Sequence, residues 1–266
     1  MEILSKLTPA ETHLILNTKD TKLKHLMKYT FMDLLLKKVL QTKMERRQSS
    51  HPRSKVRIHD YVIRGVNFEN YEAQPHEMIF LSPYAKSKTL KILIRNLITM
   101  GVQNSEGGQR YIQNYVLKSS NLDRYFKRGF FHKMFASIKL SEEGQKVQAE
   151  IKSTLARLEK ELPEAIRDDE KKAMEIITAI HGHVFLLENV DIDLLKEIDE
   201  HFIAEFGRRK HAYVNDCAGW LAFSAHDSTF DEAYNSAAFY DGGASVGGGC
   251  SACSGCGGCG GCGGCG

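Results

Sequence analysis

The sequence predicts a mainly α-helical fold: a bundle-like helical domain with a small β-hairpin or short strands, followed by a disordered Gly/Cys-rich tail. Three observations predict it. Helix-breaking residues are scarce before the tail, since 13 of the 22 Gly lie at or after Gly242 and the whole chain has five Pro. Apolar residues recur at helical spacing behind capping residues in several segments. Only short stretches alternate as a strand does.

The elements follow in order. Thr8-Pro9-Ala10-Glu11 reads as a capping box with Pro at the first helical position, opening a helix through Leu14, Ile15 and Leu16. A second helix is expected over 21–42, with Leu23, Leu26, Met27, Phe31, Leu34, Leu35 and Leu40 on one side and Lys22, Lys24, Lys28, Lys37 and Lys38 covering much of the rest. A basic connector of Lys43, Arg46, Arg47, Arg53, Lys55 and Arg57 precedes IHDYVIRG (58–65), which alternates, so 43–65 reads as a hairpin or loop–strand unit. Ser87 is the expected cap of the next helix and Gly101 its C-terminal stop, with Leu90, Leu93, Ile94, Leu97 and Ile98 inward. One or two helices follow over 109–133, then a short strand at 135–141. Ser141 caps a long charged helix whose stripe is Val147, Ile151, Leu155, Leu158 and Leu162, expected to stop at Pro163. Residues 168–189 read as one buried helix, and Asp191 or Asp193 caps another that closes at Gly207. These boundaries divide the chain into a helical domain (1–207), a weakly structured extension (208–241) and a low-complexity tail (242–266).

At 266 residues the chain is long enough to bury a core without cross-links. No apolar run reaches the ~18–20 residues of a membrane span. The first sixteen residues lack a basic segment followed by a long apolar one, so we expect no signal peptide and a reducing, cytoplasmic setting. Charge is polarised. Residues 1–140 carry 25 Lys and Arg against 11 Asp and Glu, a net +14, and the remainder carries −11. A basic half of this kind suits phosphates, lipid head groups or an acidic protein partner. The connector lacks interleaved aromatic residues for base stacking, which argues against nucleic acid.

The most specific pattern is the tail, where Cys250, Cys253, Cys256, Cys259, Cys262 and Cys265 recur with a strict period of three. In an extended threefold helix these thiols would line one edge ~9 Å apart. A folded-back backbone would converge them on Zn or Cu(I), and oxidation would pair them within the tail. A flexible tail without metal is the remaining alternative. His181 and His183 are two apart, on different faces of a helix, and read as core histidines. Cys217, near His211 and His226, sits in no recognisable nucleophile signature. No P-loop, GxSxG, HExxH or GxGxxG is present, which weakens the enzyme class and leaves an enzyme with an unrecognised site as the third alternative.

Taken in order, LTPAETHLIL (7–16), FMDLLLKKVL (31–40), MERRQSSHPRSKVRI (44–58), YFKRGFF (125–131) with the 140–162 helix, and ITAIHGHVFLLEN (177–189) resemble the Golgi phosphoprotein 3 family. The resemblance implies a mainly helical domain that sits on membranes through phosphoinositide head groups and oligomerises through a basic hairpin. The positions matching the family's phosphate pocket hold Met27, Tyr115 and Lys118, so one cation survives, as lysine. A lysine supplies a point charge without the arginine fork. The expected function is therefore a non-enzymatic peripheral-membrane or adaptor protein. Its expected anion or lipid contacts are Arg46, Arg47, Arg53, Lys55 and Lys118. The alternative is a metal- or thiol-handling protein acting through the tail.

Overall fold

The computed structural model describes residues 2–18, 20–47, 57–127, 138–187 and 223–241. It is mainly helical with one small antiparallel sheet, as expected. Helix α1 (Glu2–Lys6) leads into α2 (Pro9–Asn17), where the capping box forms in full: Glu11 N–H donates to the Thr8 hydroxyl, and Thr8 N–H donates to Glu11 at 2.7 Å. Helix α3 (Leu23–Leu36) packs against α2 and buries Leu26, Met27, Phe31 and Leu34 completely.

Helix α3 ends six residues before the expected position 42, and its stop carries no glycine. Lys38 adopts φ 53°, its N–H donates to Leu35 O, and Val39 N–H donates to Leu34 O. This is a Schellman turn with lysine in the left-handed position. It throws the chain directly into β1 (Leu40–Arg47), which pairs antiparallel with β2 (Arg57–Arg64), so the basic connector is a hairpin. Gly65 allows the closure, because a Cβ there would lie 2.0 Å from Lys38 O. The third strand, β3 (Ile92–Leu93), pairs with β2 through Tyr61 and Val62.

Between the hairpin and β3 lie a short helix α4 (Met78–Leu81) and two 3-10 turns. Helix α5 (Ile94–Asn104) starts seven residues after Ser87, which does not cap it. Gly101 lies inside α5, where a Cβ would meet Met27 Cε at 2.9 Å and Phe80 at 3.0 Å. Close helix packing placed a glycine where the sequence suggested a stop. Helix α6 (Gly108–Asn114) and two further 3-10 turns account for residues up to Leu122. Of the strand expected at 135–141, the described part forms a single bridge between Phe126 and Leu140, and 135–137 lie outside the described residues.

Helix α7 (Glu142–Asp168) is capped by Ser141, whose hydroxyl accepts from Gly144 N–H at 3.0 Å. It continues five residues past Pro163 instead of stopping. Its apolar stripe continues through Leu162 and Ala165, both buried, and that burial offsets the lost backbone hydrogen bond. Gln148 on α7 donates to Ile15 O and Leu16 O, satisfying carbonyls at the open end of α2. Helix α8 (Glu170–Ile180) is shorter than the expected 168–189 because the backbone turns at His181, φ 46°, into a 3-10 segment ending at Leu186. His183 is buried as expected, but His181 is exposed, against the core reading, because the chain leaves α8 at His181 and the two residues face different sides.

Residues 223–241 differ from the weakly structured extension expected there. They form a helix, α9 (Phe223–Asp241), packed on α5 and α3. Phe230, Ala233 and Ala237 are buried, at i, i+3 and i+7. Two alanines and a phenylalanine make a faint stripe, which is why the periodicity escaped sequence reading. The expected helix after Asp191 or Asp193, Cys217 and the tail lie outside the described residues.

Candidate functional site

The hairpin is anchored at one end and exposed at the other. At its root Val62 is buried, and its carbonyl accepts from the Tyr84 hydroxyl at 2.9 Å. Arg64 donates from Nε to Tyr84 O at 3.0 Å, pairs with Glu69 at 2.7 Å, and stacks over the Phe68 ring. The register places Thr42 opposite Val62, Met44 opposite Asp60 and Arg46 opposite Ile58, so these six share one face. Towards the tip that face emerges from the core. Met44 is 72% exposed and Ile58 60%, and Arg46 is exposed beside them. Two large apolar side chains thus sit in solvent around a cation. On the other face Lys43 and Lys91 converge on Glu45.

Of the expected contact residues, Arg46 lies on this emergent face. Arg47 ends β1, paired with Arg57, and Arg53 and Lys55 lie outside the described residues. Lys118 is exposed on the 3-10 turn Val116–Lys118, which packs on α6. The sequence therefore pointed to the hairpin and missed Met44 and Ile58, whose alternation signalled a strand but not which face would lack a cover.

On the same side as Ile58 and Asp60 lies a cleft of about 290 Å³ between β2, the start of α5 and α9, lined by these two residues with Arg95, Glu232 and Ser236. The Asp60 Oδ1 atom is buried there without a hydrogen-bond partner.

A second feature, invisible in the sequence, is a buried polar network that ties the 71–77 loop to α2 and α3. His76 Nε2 lies 3.1 Å from the Thr8 hydroxyl, and Asn121 donates to Glu11. Glu77 accepts from the Tyr71 hydroxyl at 2.7 Å and from Gln74 N–H at 2.6 Å. Lys37 lies 2.7 Å from Asp33 and donates to the Tyr71 oxygen at 3.3 Å. Burial pushes the Glu77 carboxyl up and His76 down, and the Tyr71 phenol is pushed far up by burial and by Glu77. Burial, the largest influence, would lower Lys37, but Asp33 together with Glu77 and Glu11 outweighs it and the ammonium is held above its ordinary value. Nearby, His183 Nδ1 lies 2.9 Å from Ile180 O, so that nitrogen carries the proton and Nε2 accepts from the Thr12 hydroxyl, also at 2.9 Å. These contacts lock elements together, while His76 Nδ1 and Asp33 Oδ1 are buried without a hydrogen-bond partner among the described residues.

Among the described residues no group of three His, Cys, Asp or Glu is placed to hold a metal ion, and no helix is long and apolar enough to cross a membrane. Comparison of the chain with protein-family models, curated proteins and solved structures finds no match.

Proposed function

We propose that this chain is a non-enzymatic adaptor that docks peripherally on anionic membrane surfaces through its β1–β2 hairpin. The observation that carries the reading is the emergent hairpin face, where Met44 and Ile58 flank Arg46 in solvent. Near an anionic surface each cation contributes about 1 kcal/mol, and an apolar side chain fully withdrawn from water about 1.5–3 kcal/mol. A hairpin offering both matches a head-group layer over an acyl boundary. The +14 on residues 1–140 supports the same orientation, as does the resemblance to the Golgi phosphoprotein 3 family.

The test is co-sedimentation with phosphatidylcholine vesicles containing phosphatidylserine, beside phosphatidylcholine alone. Binding to the anionic vesicles that weakens with salt, and drops when Arg46, Arg47, Arg53 and Lys55 become Ala, supports the reading. Equal sedimentation of wild type and variant would move the contact off the hairpin. The period-three cysteines favour a second reading, capture of Zn or Cu(I) by the tail. Native mass spectrometry of the full chain beside a chain ending at Gly249 tests it: metal lost with the tail supports the reading, and metal retained refutes it.

A further inference from the structure

The hairpin face that carries Met44 and Ile58 continues into the cleft between β2, α5 and α9. Ile58 is both an exposed apolar side chain of that face and part of the cleft lining. Asp60 lines the cleft from the same strand, Arg95 from the first turn of α5, and Glu232 from α9. The buried Ile94 and Ala233 also line it, and α9 packs on α5, so core packing fixes the spacing of the walls. A volume of about 290 Å³ is at the small end of the range for ligand sites.

The charges in the cleft are unmatched. Two carboxylates, Asp60 and Glu232, meet one guanidinium, Arg95. Among the described residues none of the three side chains has an ion pair or a hydrogen bond. An unpartnered carboxylate oxygen at the edge of the core is costly, and anionic head groups would repel it further. A head group that carries a primary ammonium beside a phosphate reverses the sign. Its N–H groups are donors for both carboxylates, and its phosphate accepts from the Arg95 fork. Glycerol and inositol head groups offer only hydroxyls where the ammonium would sit.

We propose that this cleft seats the head group of an aminophospholipid, with Asp60 and Glu232 as counter-charges to the ammonium and Arg95 on the phosphate. The inference rests on the membrane reading above and names the lipid class that the hairpin face selects.

The test sediments the full chain with phosphatidylcholine vesicles carrying equal fractions of phosphatidylserine or phosphatidylglycerol. The two anionic lipids have the same net charge, and only phosphatidylserine has an ammonium. We expect wild type to partition about fivefold more strongly onto the phosphatidylserine vesicles, the effect of two partly exposed charge pairs. Asp60→Asn/Glu232→Gln keeps both side-chain shapes and removes two negative charges. General attraction to either anionic vesicle should therefore rise, while the discrimination between them disappears. Damage to the fold would not tighten binding to phosphatidylglycerol, so this pair of changes reads the cleft itself. Equal partition of wild type onto both vesicles refutes the ammonium seat and leaves the membrane reading standing. A preference that survives in the double variant refutes this cleft as its source. Calorimetry with soluble glycerophosphoserine separates the remaining cases. If wild type binds that compound but sediments with neither vesicle, the cleft takes a free small molecule and the lipid assignment is overturned. If it neither binds nor sediments, the membrane reading fails and the inference fails with it.

Discussion

Gly182 presses on Asp33: a Cβ at Gly182 would lie 2.4 Å from Asp33 Oδ1 and 2.8 Å from Pro9 Cγ. Asp33 cannot swing aside, being buried and paired with Lys37 at 2.7 Å. Gly182→Ala should therefore cost about 1–3 kcal/mol, the range for overpacking a filled site. The check is a lowered urea midpoint, and a midpoint equal to wild type would mean that the 3-10 segment shifts freely.

Two helix caps of the same chemistry should differ in worth. Ser141 serves the partly exposed start of α7, and Ser141→Ala should cost about 1 kcal/mol. Thr8 caps α2 and also meets His76 Nε2 in the core, so Thr8→Ala leaves a buried nitrogen unpaired. Chemical denaturation should rank Thr8→Ala as the more damaging. The reverse order would show that the Thr8–His76 contact adds nothing.

Acid should loosen the fold well above the carboxylate range. Burial holds His183 at about 4, against an ordinary 6.5, and His13 also falls to about 4 through burial and the neighbouring His25. The unfolded chain thus takes up protons that the folded chain refuses. Stability is full above pH 6.5 and is lost as pH falls towards 4, by up to about 3 kcal/mol for His183. His76, also lowered, acts in the same direction, and Glu77, raised by burial, acts against it. Urea midpoints measured across this window should fall with pH, and less steeply for His183→Gln. An unchanged slope would mean that His183 does not contribute.

Pro163 lies within α7 between the buried Leu162 and Ala165. Pro163→Ala restores a backbone donor in mid-helix and should raise the thermal midpoint. A lowered midpoint would show that the proline ring itself packs against the core.

What the sequence could disclose was local. The caps at Thr8 and Ser141 depend on neighbours three residues away, and both formed. The end of α3 did not show, because Lys38 takes a left-handed conformation usually given to glycine, at the demand of the Gly65 backbone packed on it. Gly101 and Pro163 misled for a shared reason: tertiary packing overrode a local breaker. The network of Thr8, Glu11, Lys37, Tyr71, His76 and Glu77 was hidden because its members meet only through the fold. The basic charge of the hairpin was legible, and the exposure of Met44 and Ile58 was not, since alternation alone does not say which face the rest of the chain will cover.

Sedimentation of the Met44→Ser/Ile58→Ser variant with phosphatidylserine-containing vesicles tests the central claim most directly. Both side chains are solvent-exposed, so the variant should keep the wild-type thermal midpoint. The account predicts a clear loss of vesicle-bound protein that lowering the salt only partly restores, because the cations remain while the apolar contact is gone. Binding identical to wild type at every salt concentration would contradict it.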